Sequence, residues 1–406
     1  VGGLRILLIS HPPLSAELGA SQVVLNLAAA LRERGHDVRA WSPEPPPAGT
    51  RWWDLWRHQR RAAERLAAAE GPFDAIDTPA ISASPRLARA GRLVVRSVQP
   101  ELLYLGHEVA GDLARRGVRA GAHALVGGRQ AAAIVAGWRR AAAIVCLGCV
   151  ELERMRRRFP CWRGKLGACR IAPAAAEQAA LRVVARQRGD AARGRMVDEG
   201  LEREARGAEG GAGARGETAA EGRARGDGVR FLWIGRWAAH KGTARLLRYV
   251  AARAAAHPED RFTFAGCGEA AGREVPHELL RAGRVALLPA FARAELPALL
   301  AAHDAGLFTS TVEGWGLSLN EMLESGLPVY ATRAGAVADL LPYFPQSLRP
   351  FPPPVGGPLA PAGAEDPAAS GYEASFNWGA IAADYERQAL GGAREPADAQ
   401  RGELSP

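Results

Sequence analysis

Short apolar runs bounded by glycine or proline alternate along this chain with longer stretches whose apolar residues recur every three or four positions. "LRILLIS" at 4–10 is the first such run, and its length and β-branched content predict a buried strand. "SQVVLNLAAALRERGHDV" at 21–38 then places Val24, Leu27 and Leu31 on one helical face and meets a capping glycine at Gly35. "DVRAWSP" follows as the next strand. A β-loop-α-β opening of this kind predicts a parallel sheet covered on both faces.

The alternation continues through "FDAIDT", "RLVVRSV", an Ala-rich helical stretch near 108–140 and "AAAIVCLG". It predicts a first α/β domain over 1–173, with the proline-rich "PEPPPAG" at 43–49 as a surface excursion. Residues 174–228 almost lack aromatic and branched apolar residues, so a low-complexity insertion or linker is expected there. At "VRFLWIGRW", 229–237, the pattern restarts. A helix "GTARLLRYVAARAAAH" and the strands "RFTFAGCG", "GRVALLPA", "AGLFTS" and "PVYATRAG" predict a second α/β domain over 229–375. "GGPLAPAGAEDPAA" reads as a loose loop within it, and "FNWGAIAADYERQAL" opens a C-terminal helix and tail over 376–406. The expected fold class is α/β, with two Rossmann-like domains facing across a cleft, where open parallel sheets bind ligands beyond their strand ends.

With 406 residues, 48% of them hydrophobic, the chain can bury more than one core. Its net charge is +9, and the first 170 residues alone balance at +12, so that half is expected to face something anionic. No zinc-finger spacing, RNA-binding aromatic signature or basic-leucine heptad accompanies the charge, and no nucleic acid partner is expected. Phosphorylated small molecules or an anionic membrane surface fit the same charge.

Five cysteines do not make a secreted disulfide framework. "CLGC" at 146–149, with Cys161 and Cys169, has metal-ligand spacing, but its apolar surroundings favour packed thiols over zinc. No apolar stretch reaches the length of a membrane span, and the opening strand is too short for a signal peptide. A cytoplasmic location follows as the expectation, with peripheral attachment at the inner face of the membrane.

Two loops carry candidate chemistry. "GRWAAHKG" puts Arg236 and Lys241 between Gly235 and Gly242, after a strand and before a helix. Guanidinium, ammonium and free helix N–H groups together suit a diphosphate. "STVEGWGLSLNEMLESGLPVYAT" at 310–332 places Glu313 before a Gly314-Trp315-Gly316 turn and Glu321 inside the helix that starts near Leu317. Glycines let backbone amides approach a ligand, and carboxylates accept hydrogen bonds from vicinal hydroxyls. Hydroxyls beside phosphates describe a nucleoside diphosphate sugar. The alternative at this point is that Glu321 and Glu324 are solvated helix residues and that the two basic residues lie on an ordinary exposed loop.

Around these residues the chain resembles glycosyltransferase family 4, retaining nucleotide-sugar enzymes with a two-domain, glycogen-synthase-like architecture. "VEGWGLSLNEMLESGLPVYAT" is similar to that family's pair of glutamates with seven residues between them. The resemblance extends to "FLWIGRWAAHKGTARLL", "FTFAGCGEA" and "FNWGAIAADY", and more loosely to residues 4–45. It implies that Arg236 and Lys241 hold the donor diphosphate, that Glu321 binds the ribose, and that Glu313 lies beside the transferred sugar. Amides near Gly314, Trp315, Gly316 and Leu317 complete the implied donor pocket, with Gly235 at the strand end and Gly19 at the opening helix of the first domain.

The first domain departs from the family pattern. Gly19-Ala20 stands where two glycines are usual, and Arg96, Ser97 and Gln99 stand where many members place a histidine. "RIAPAAAE" replaces the Ile-Pro-Asn-Gly-Val junction turn. The resemblance therefore implies transfer of a hexosyl unit from a nucleotide diphosphate sugar to an acceptor hydroxyl on a glycan or glycolipid. The donor is a substrate, no cofactor is held permanently, and no metal is required. A first domain without an identified catalytic carboxylate favours front-face attack over double displacement. The alternative function is a non-catalytic nucleotide-sugar-binding protein of the same fold.

Overall fold

The computed structural model describes residues 3–51, 54–97, 101–116, 121–208, 228–357, 359 and 371–391. Gln99, residues 209–227 of the expected linker, most of the expected loose loop and the tail beyond 391 lie outside them.

The chain divides into two compact units. The first comprises residues 1–102, 121–171 and 376–406, and the second comprises residues 103–120 and 172–375. In the first unit, β1 (Arg5–Ile9), β2 (Asp37–Trp41), β3 (Ala75–Thr78), β4 (Arg92–Arg96), β5 (Ala143–Leu147) and β6 (Leu166–Cys169) form one sheet in the order β2-β1-β3-β4-β5-β6. All pairs are parallel. β1, β3 and β5 are buried nearly throughout, as expected for strands covered on both faces. The helix Gly19–Glu33 buries Val23, Val24, Leu27 and Leu31, and Gly35 just beyond it has φ 90°.

The helix Trp378–Tyr385 belongs to this first unit although it follows the second unit in sequence. Tyr385 donates its hydroxyl to buried Asp77 at 2.6 Å, and Arg34 forks onto Glu386 at 2.5 and 2.8 Å. Those contacts span some three hundred residues of sequence and could not be read from local pattern.

The second unit holds β7 (Arg230–Ile234), β8 (Arg261–Ala265), β9 (Val285–Leu288), β10 (Ala305–Phe308), β11 (Val329–Ala331) and β12 (Leu348–Pro350), ordered β12-β11-β10-β7-β8-β9 and again parallel. β12, three residues long, escaped the sequence reading because it is too short to show a period. Phe231, Trp233, Tyr249, Phe262 and Phe264 supply an aromatic core, with Phe231 and Phe262 stacked at 4.9 Å.

The stretch expected as a linker begins instead with a long helix, Ala175–Ala208. Its sparse apolar residues are placed where they count: Leu181 and Val184 are buried within the second unit, and Arg188 donates to the carbonyls of Leu300 and His303. Of the four cysteines expected to pack, Cys146 and Cys169 are buried, whereas Cys149 and Cys161 are exposed. Among the described residues, no helix is long and apolar enough to cross a membrane.

Candidate functional site

In the second sheet β7 neighbours both β8 and β10, so the chain runs outward in opposite directions from the β7–β10 pair. Loops leaving the carboxyl ends of such a pair diverge and leave room for a ligand. The loop after β7 turns through Ala239–Lys241 into Gly242, whose φ is 72°. A Cβ there would lie 1.9 Å from the Thr309 carbonyl oxygen, so only glycine lets the two loops touch. They are then tied together. Thr309 Oγ1 donates to the Lys241 carbonyl at 2.8 Å, Trp233 Nε1 donates to Thr309 Oγ1 at 3.0 Å, and the Thr311 N–H donates to the His240 carbonyl at 2.7 Å.

This backbone lattice brings Lys241 onto Glu313. The ammonium donates to Glu313 Oε2 at 2.5 Å, and Ser310 Oγ donates to the same oxygen at 3.0 Å. The side chains are only 15% and 7% exposed, so solvent screens the pair weakly. Both bonds fall on Oε2, which leaves Oε1 available to another donor.

Lys241 is one of just two lysines among 52 basic residues. The other, Lys165, donates to three backbone carbonyls at the end of the helix Gly121–Arg140. Both occupy places that need a compact ammonium with several donors rather than a planar fork. Beside Lys241, His240 is buried against Tyr104, with ring centroids 4.8 Å apart, and burial followed by the Lys241 charge lowers its pKa.

The glycine turn works through its backbone. Gly316 has φ 88°, and a Cβ there would meet the Phe308 ring at 2.7 Å. Trp315 is buried, with Nε1 donating to Asn320 Oδ1 at 2.9 Å, so its ring is committed to the core. The helix Leu317–Glu324 begins at Gly316, and no side chain caps it. Of its first-turn N–H groups, that of Leu319 donates to the Gly316 carbonyl at 2.9 Å, and those of Leu317 and Ser318 are open to an anion.

Glu321 and Glu324 are both buried, which removes the solvated-helix alternative. Glu324 accepts from Tyr372, Asn320 and Gln178, and burial raises its pKa to about 7. Glu321 accepts from Arg293 Nη2 at 2.6 Å, and Arg293 also reaches Glu177 at 2.9 and 3.0 Å. Burial pushes the Glu321 carboxyl up while Arg293 opposes it. Burial likewise opposes the Arg293 charge, but the two carboxylates outweigh it and its pKa is raised.

Of the sequence-predicted residues, then, the structure joins Lys241 to Glu313 and holds Glu321 through a partner the sequence reading missed. Arg236 is exposed and pairs with no carboxylate among the described residues. A cavity of about 560 Å³ opens beside these loops, lined by Trp237, Ala239, Gly242, Arg245, Arg248 and Thr311 among others. Gly19 lies in the other unit, exposed at the first position of its helix.

The first sheet also reverses its order, between β1 and β3. There His11 Nε2 meets Ser82 Oγ at 2.6 Å, and burial lowers the imidazole to about 4. Two carboxyls unrecognised in the sequence lie at this edge. Glu101 accepts from the Ala80 N–H at 3.1 Å and burial raises it to about 8. Glu151 accepts from Ser97 Oγ at 2.5 Å and the Leu147 N–H at 2.9 Å, and burial raises it to about 7. Arg96 is committed to buried Asp77 at 3.0 Å.

Residues 228–343, less than a third of the chain, match the family described as glycosyl transferases group 1. No curated protein matches the sequence. Among solved structures, the chain is similar to a sucrose-phosphate synthase from Thermosynechococcus elongatus, at 17% identity and a TM-score of 0.61 over 94% of this chain and 97% of that one. It is similar to WaaG, a glycosyltransferase involved in lipopolysaccharide biosynthesis, at 14% identity and a TM-score of 0.54 over 95% of each. It is also similar to the catalytic domain of starch synthase IV from Arabidopsis thaliana bound to ADP and acarbose, at 12% identity and a TM-score of 0.51 over 83% and 84%. Likeness at these identities establishes the fold: two parallel six-stranded sheets with helices, the GT-B arrangement.

Proposed function

We propose that this chain transfers a hexosyl unit from a nucleoside diphosphate sugar to an acceptor hydroxyl, with retention at the anomeric carbon as in glycosyltransferase family 4. The observation that carries the reading is the Lys241–Glu313 pair at the β7–β10 reversal, within the residues that match glycosyl transferases group 1. Departure of the nucleotide builds negative charge on its diphosphate. Lys241, the free guanidinium of Arg236 and the amides from Gly314 to Leu317 stabilise that charge where it develops. Glu313, fixed through Oε2, turns Oε1 to the sugar hydroxyls, and Glu321 takes the ribose. Neither a permanent cofactor nor a metal is required for these roles. The acceptor proposed is a glycan or glycolipid at an anionic membrane surface on its cytoplasmic side. The solved starch synthase bound to ADP and acarbose and the lipopolysaccharide enzyme WaaG share the fold and lend support.

The test is a panel of UDP, GDP and ADP sugars, following donor hydrolysis and transfer to acceptors. The Arg236→Ala, Lys241→Ala double variant is expected to lose about 100-fold or more in kcat/KM, compared at a temperature where circular dichroism shows it folded. Full activity in that variant would rule the mechanism out. A second reading, binding of a nucleotide sugar without turnover, is favoured by the uncharged His11–Ser82 contact and the exposed Gly19 of the first unit. Calorimetric donor binding with no transfer to any acceptor would select it.

A further inference from the structure

We infer that Arg293, itself braced by Glu177, is the positioning residue that presents Glu321 to the ribose of the donor nucleotide. The inference rests on the reading of Glu321 as the ribose-binding carboxylate. Arg293 follows β9, Glu177 lies in the first turn of the helix Ala175–Ala208, and Glu321 lies in the helix after β10, so three separate elements converge on one guanidinium. Arg293 occupies Oε1 of Glu321 at 2.6 Å, and no other described group bonds to that carboxylate. Oε2 therefore remains as the acceptor.

The same design recurs at Glu313, where a cation and a hydroxyl share one oxygen and leave the other open. A buried carboxyl without a cation takes up a proton, and a protonated carboxyl accepts hydroxyl hydrogen bonds poorly. Arg293 counters the rise that burial imposes on the Glu321 carboxyl and fixes its rotation. An arginine suits this place because it must reach Glu321 while its fork grips Glu177 at 2.9 and 3.0 Å, which a single ammonium cannot reproduce. The next residue, Gln178, donates to Glu324 at 3.2 Å, so one turn of the long helix secures both buried glutamates of the helix Leu317–Glu324.

Calorimetric titration of the full chain with UDP, GDP and ADP, each beside its 2′,3′-dideoxy counterpart, separates positioning from mere packing. The wild type is expected to bind the ribose form of one of these at least about tenfold more tightly, the scale of one hydrogen bond to a charged group. In Arg293→Met that preference falls to within about twofold, and Arg293→Lys recovers part of it. Glu177→Gln lowers it less. A purely structural role would weaken both nucleotide forms equally and leave their ratio unchanged. An unchanged ratio in Arg293→Met therefore overturns the inference while leaving Glu321 as the ribose group. Absence of ribose preference in the wild type overturns both. Should melting show Arg293→Met unfolded, Arg293→Lys and Glu177→Gln decide: ratios equal to the wild type in both overturn the proposal.

Discussion

Each sheet reverses its strand order once, and the two reversals are furnished in opposite ways. At β7–β10 the loops carry an ion pair, Lys241–Glu313, with an exposed Arg236 beside it. At β1–β3 they carry His11 and Ser82, and burial keeps that histidine neutral near pH 7. The carboxyls nearby follow suit, since burial raises Glu101 to about 8 and Glu151 to about 7. One topology thus yields an edge where Lys241 pairs with a carboxylate, and an edge where His11, Glu101 and Glu151 are buried with neutral partners beside the Arg96–Asp77 pair. Both edges are buried, and the presence or absence of a counter-charge decides which groups stay charged, because an unpaired charge at low dielectric costs more than taking up or losing a proton. A charged edge suits an anionic donor, and an uncharged one suits hydroxyls.

The strongest way to break the contrast is to separate the loops of the charged edge. Gly242→Ala puts a methyl on the Thr309 carbonyl and a side chain at φ 72°. It is expected to destabilise the second unit by about 3 kcal/mol, lowering its melting step by roughly 6–12 °C in calorimetry. An unaltered melt would show that the loops are not in contact.

A smaller effect sharpens the uncharged edge. Burial raises the folded Glu101 carboxyl to about 8 from its ordinary 4.5, so between those values the unfolded chain ionises while the folded one does not. Its contribution is neutral at low pH and becomes a growing loss as pH rises, levelling off above 8. Glu101→Gln should therefore raise the melting temperature relative to wild type more at pH 8 than at pH 6, each kcal/mol being worth about 2–4 °C in a unit this size. A difference that shrinks with rising pH would contradict the assignment. His11 has the opposite sign, its contribution being lost as pH falls from 6.5 to about 4, so it does not produce the alkaline trend.

The smallest effect concerns Gly19. It is the exposed first residue of its helix, so Gly19→Ala should change stability by no more than about 0.5–1 kcal/mol and leave donor affinity within about twofold. A marked loss of nucleotide-sugar binding would instead support the donor role that the family resemblance implies for Gly19.

Legibility followed distance along the chain. Lys241, Glu313 and the Gly314–Gly316 turn were readable because each lies within a few residues of a strand end, where glycine, charge and helix start announce a ligand loop locally. Arg293 was not, because "FARAEL" is an ordinary surface-like sequence and its partners lie 28 and 116 residues away. Glu177 was hidden for a further reason: it sits where low complexity suggested a linker, although Leu181 and Val184 there give a helix enough apolar surface to dock. Glu101 and Glu151 look in sequence like solvated helix residues, and only burial gives them raised pKa values.

By itself, then, the sequence determined the two alternating α/β stretches, their buried parallel strands and the loops that bear Lys241, Glu313 and Glu321, since strand period, helix period and glycine turns are short-range properties of a chain. The tertiary structure alone decided that Lys241 closes on Glu313, that Arg293 and Glu177 hold Glu321, that Tyr385 and Glu386 return to the first unit, and which ionisable groups stay charged. Those outcomes depend on how loops far apart in sequence meet at a sheet's edge and on how much water each meeting excludes, and neither quantity is written in any single stretch of residues.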